Sequence, residues 1–87
     1  MSDRPLRDAN DWLAIIDRLL GQMIDQHERK LLALARQMVP GLTAEDLRNP
    51  QDFPRLVQDP TFNYEDGLLA GLRSAHMAVR AELKQTV

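Results

Sequence analysis

Cysteine is missing from all 87 residues. Its absence removes disulfides, thiolate catalysis, cysteine-ligated zinc and iron–sulfur clusters. Aromatics are few: Trp12, Phe53, Phe62 and Tyr64, and none interleaves with basic residues as a base-stacking platform requires. No apolar run approaches the ~20 residues of a membrane span. Neither charge dominates, with 11 Lys and Arg against 13 Asp and Glu for a net charge of −2. Such a balance does not gather phosphates and argues against nucleic acid as a partner. The stretch from Met1 to Asp8 lacks the apolar centre of a secretory signal. The expected setting is therefore cytoplasmic, without membrane contact.

Catalytic groupings are also lacking. Ser74 and His76 stand two apart on a helix, turned about 200° from each other. No glycine-rich loop follows a strand, because no strand pattern exists. No enzymatic activity and no cofactor are expected. Asp59-x-Thr61-x-Asn63-x-Glu65 has the alternating oxygens of a calcium loop. However, Tyr64 stands where the loop needs glycine, and Ala70 where it needs a bidentate glutamate.

Apolar residues make up 44% of the chain, enough for one small folded domain. A chain of this size buries roughly 60% of its extended surface, a thin core unless a second subunit extends it. Residues 1–8 read as a flexible N-terminal tail, and 9–87 as a single helical domain. One unbroken helical pattern runs from about Asn10 to Val39 and stops at Pro40-Gly41. A connector with short helical pieces covers 40–62. Thr43 caps the first piece, with Asp46 at its third position. Asn49-Pro50 and Asp59-Pro60 each read as a cap followed by proline in the first turn. A second long helix follows, starting at Asp59 or Asn63 and ending near Gln85.

At about 100° per residue the first helix gathers Trp12, Leu13, Ile16, Leu19, Leu20, Met23, Ile24, Leu31, Leu34, Ala35 and Met38 on one wide face. Ile15 and Leu32 fall outside it. The last helix divides into three sectors. Leu68, Leu72, His76, Val79 and Leu83 form an apolar stripe with Leu69 on its shoulder, and Arg73, Arg80 and Lys84 form a basic edge. Gly67, Gly71, Ser74 and Ala78 form a side almost without bulk.

Two glycines inside a helix cost about 1 kcal/mol each relative to alanine, so a close approach by something is expected there. Packing against the first helix or the connector is the plainest account; a subunit or partner interface is the second, and a flat cofactor a third. His27 and His76 fall within apolar stripes. Counting from the helix ends puts them at similar height, which suggests a buried hydrogen-bonded pair. The metal-centred alternative is a metal- or haem-binding bundle, since imidazole suits zinc, copper or iron. No Glu-x-x-His motif supports it.

The pattern predicts an all-α protein: an antiparallel hairpin of two long helices with a short-helix connector, completing a four-helix bundle as a dimer. The first helix carries more apolar surface than one partner helix can cover. Trp12, Ile16, Leu19 and Met23 lie furthest from the connector and are the candidate contacts, together with Gly67, Gly71, Ser74 and Ala78. The expected role is a non-enzymatic adaptor, assembly factor or regulatory subunit, acting as a homo-oligomer or on another protein.

Overall fold

A computed structural model describes residues 9–86; the tail expected at 1–8 lies outside them. The described residues contain helices and turns only. The first long helix, α1, spans Ala9–Met38, and the last, α4, spans Pro60–Thr86. Between them lie α2 (Ala44–Leu47), a 3-10 turn (Pro50–Asp52) and α3 (Pro54–Val57). The two long helices pack against each other antiparallel, in a body 55 × 27 × 20 Å.

Local chemistry sets each boundary. Gly41 ends α1 with φ at +84°, a left-handed conformation that favours a residue without Cβ. Arg36 Nε then donates to the Leu42 carbonyl at 2.7 Å, tying the turn back to the helix. Thr43 and Asp46 form a reciprocal capping box, with bonds of 3.0 and 3.1 Å. Of the two starts considered for α4, Asp59-Pro60 is the one adopted: Asp59 Oδ2 accepts from the Phe62 amide at 2.7 Å. Asn49 differs from expectation. Its side chain makes no capping bond, because its backbone carbonyl already receives the Asp52 amide at 3.0 Å and closes the 3-10 turn.

The buried core is Ile24, Leu31, Ala35, Leu42, Leu56, Phe62 and Leu69. It sits entirely at the connector end, where α2 and α3 fold over the hairpin as an ordered lid. Leu32, outside the sequence-derived stripe, packs here too, because the lid supplies a second wall for it. Ile15 is only half-buried. Burial of a large apolar side chain contributes about 1.5–3 kcal/mol, so the lid end dominates stability. Among the described residues, nothing on the N-terminal side of Ile24 is buried. Among the described residues, the open end of the hairpin has two helices and no third layer.

The stripe assigned to α4 needs correction. Leu69 is its centre, 2% exposed, and Leu68 is the flanking residue, 42% exposed. The seam facing α1 runs through Phe62, Leu69, His76 and Leu83 at seven-residue intervals, with Glu65, Leu72 and Val79 between them. This three-four spacing is that of antiparallel helices packed at a shallow angle.

Candidate interaction face

The wide apolar face of α1 resolves into two stripes. Leu13, Asp17, Leu20, Ile24, His27, Leu31 and Ala35 face α4. Trp12, Ile16, Leu19 and Met23, at spacings of four, three and four, form the other. It lies about 100° round the helix from the first. Their exposures are 52, 41, 48 and 47%. A helix in a four-helix bundle touches two neighbours on adjacent sides; α1 has one such side filled by α4, and on the other no described element packs.

In an antiparallel pair like flanks adjoin, so the matching flank of α4 extends the same surface. It carries Tyr64, Leu68, Gly71, Ala75 and Ala78, all exposed. Gly67 and Ser74 sit one step further round, away from α1, and are exposed as well. A Cβ added at Gly67 or Gly71 would meet no described atom within 4 Å. Close packing within the chain, the plainest expectation for this sector, is not seen at either glycine among the described residues. The two helices form one face with large residues along α1 beside small ones along α4. Trp12 to Met23 and Leu68 to Ala78 bring no charged side chain to it.

At the connector end of this face is a notch of about 220 Å³, walled by Met23, Gln26, His27 and Lys30 of α1 and by Leu72 of α4. The four α1 residues stand at i, i+3, i+4 and i+7, the four corners of a hole that receives one side chain from a facing helix.

The opposite flank is polar. Arg73 pairs with Glu28, and Arg80 Nε donates to Asp17 Oδ1 at 3.1 Å. Two of the three cations in the expected basic edge are thus spent on interhelical ion pairs, which weakens the case for phosphate binding. A cavity of about 270 Å³ opens here between α1, α2 and α4. Leu31, Leu32, Leu47 and Leu69 line it, and Arg29, Arg48 and Arg73 on its wall are matched by Asp25, Glu28 and Asp66. Equal numbers of each charge leave nothing to select an ion.

The histidines do not form a pair. His27 Nε2 lies 3.2 Å from the Glu65 carbonyl and 3.0 Å from Glu65 Oε1, which Lys30 Nζ approaches at 3.4 Å. His76 Nε2 lies 2.8 Å from Asp17 Oδ1. Each imidazole faces a carboxylate across the seam. Their levels on α1, residues 17 and 27, are about 15 Å apart along the axis at 1.5 Å per residue. The equal-height expectation failed because distance from a helix end ignores the register in which two helices dock. Among the described residues, no group of three or more His, Asp or Glu side chains is arranged to hold a metal ion, and no helix is long and apolar enough to cross a membrane.

Comparison with protein-family models, curated proteins and solved structures finds no match.

Proposed function

We propose that this chain is a non-enzymatic helical interaction module, an adaptor, assembly factor or regulatory subunit, which docks through the face of Trp12, Ile16, Leu19 and Met23. The observation that supports this reading is the continuous strip of half-exposed large apolar residues on the open end of the hairpin. With the α4 flank it makes one contiguous apolar surface of the kind that marks a protein–protein contact. Water contact with such an area is unfavourable by about 25 cal/mol per Å², and docking removes that penalty. The assembled form we favour is a homodimer in which two hairpins complete a four-helix bundle.

The test is position-resolved photo-crosslinking in the native cell, with the reactive residue at 16, 19 or 23, and at 25, 29 or 36 on the polar side. Protein adducts concentrated at the first three positions, to this chain or to another, support the reading. Equal labelling of both sides would overturn it.

A further inference from the structure

We propose that the occupant of this face is a second copy of the chain, related by a two-fold axis parallel to the helices, with Leu68 of each copy seated in the notch of the other. The proposal rests on the docking face identified above and specifies its partner and geometry.

Three observations carry it. The first is self-complementarity. Large residues along α1 and small residues along α4 lie side by side on one face, so a two-fold axis can place each strip over its counterpart in both directions at once. An axis across the helices would instead stack α1 on α1 and α4 on α4. Bulk would then meet bulk on one side and glycine meet alanine on the other, a poor route to even interior density. An axis along the helices sets α1 over the partner's α4, and every adjacent pair is antiparallel.

The second is register. Rotation about such an axis shifts nothing along it, so heights within one hairpin become heights across the interface. The contacts of His76 with Asp17 and of His27 with Glu65 fix those heights. Ile16 then stands level with the partner's Ala78, Leu19 with the partner's Ala75 and Met23 with the partner's Gly71. Leu68 comes level with the partner's Asp25, and its side chain, leaning toward the N-terminal end of α4 and so toward the connector, points at the hole bounded by Met23, Gln26, His27 and Lys30. An exposed leucine and an open four-cornered notch at the same height are a knob and a hole.

The third is extent. The face runs about three turns along both helices, and its burial would cover Trp12, Ile16, Leu19, Met23 and Leu68 of each copy, all exposed in the single chain. The absence of charge from its centre matches the charge-depleted core of such interfaces. The open end of the hairpin, which has no third layer among the described residues, receives its missing core in this arrangement.

The absence of native cysteine makes the test direct. Ile16→Cys and Ala78→Cys chains, carrying distinguishable tags, are purified separately, mixed and oxidised. Each chain has one thiol, so every disulfide is intermolecular. The expected result is a mixed 16–78 product exceeding either self-product, with light scattering giving twice the chain mass. Gly71→Leu should lower neither the helicity nor the thermal midpoint of the isolated hairpin, since its Cβ meets open space and leucine favours helix over glycine. It should raise the dimer dissociation constant about tenfold or more by overfilling the groove. A monomer at all concentrations, a dominant 16–16 product, or a dimer indifferent to Gly71→Leu would each overturn the proposal. The docking-face reading fails separately, by photo-crosslinks that do not favour positions 16, 19 and 23.

Discussion

His76 and Asp17 meet across the helical seam at 2.8 Å, in the half of the molecule that has no buried core. Arg80 shares the same carboxylate oxygen at 3.1 Å. Both contacts are partly exposed, so their worth is a fraction of that of buried ion pairs. Their directionality sets the register where apolar packing is thinnest. A one-turn slip of α4 would leave Asp17 facing Leu72 or Val79 instead.

Replacing Asp17 with alanine removes the acceptor for both groups. We expect a loss of about 1 kcal/mol, with reduced protection of residues 10–20 and 76–85 and little change at the lid. Amide hydrogen exchange on the variant checks this; uniform loss of protection along the whole hairpin would contradict it.

Leu69→Ala and Leu68→Ala should differ sharply despite their adjacency. Deletion of the buried side chain costs about 2–5 kcal/mol. Deletion of the exposed one should leave hairpin unfolding within about 0.5 kcal/mol while weakening assembly. Denaturant titration at low protein concentration separates the two effects.

Phe62 is 1% exposed and joins α4 to the lid. Phe62→Ala should cost about 3–5 kcal/mol, a large part of the stability available to so small a domain. Loss of the cooperative thermal transition measured by circular dichroism is the expected outcome.

Gly67→Ala should stabilise the isolated hairpin by about 1 kcal/mol, because alanine holds helical backbone better and its methyl meets open space. In a domain of this size that raises the thermal midpoint by roughly 4–8 °C. A lowered midpoint would mean that something packs against Gly67.

Asp59→Ala removes the cap that starts α4, at a cost of about 1 kcal/mol. Asn49→Ala should cost much less, since Asn49 makes no side-chain capping bond. Paired thermal melts of the two variants test that contrast.

Much of this molecule was decided by neighbours in sequence. The extent of α1, its stop at Gly41, the capping box of Thr43 and Asp46, and the start of α4 at Asp59-Pro60 all depend on contacts within a few residues. Periodicity and turn chemistry therefore sufficed to read them. The excess of apolar surface on α1 was equally legible, because it is a count of side chains on one cylinder. The division of that surface into a seam and an outer strip was not, nor was the choice of Leu69 over Leu68 for the interior. Likewise, nothing local told His27 to face Glu65 and His76 to face Asp17. Those outcomes depend on how far α4 is rotated and slid against α1, two rigid-body variables decided by the packing of Phe62, Leu69 and the lid leucines against Ile24 and Leu31. Short-range chemistry settled where each helix begins and ends; only the docking of one helix on the other settled which residues each of them hides.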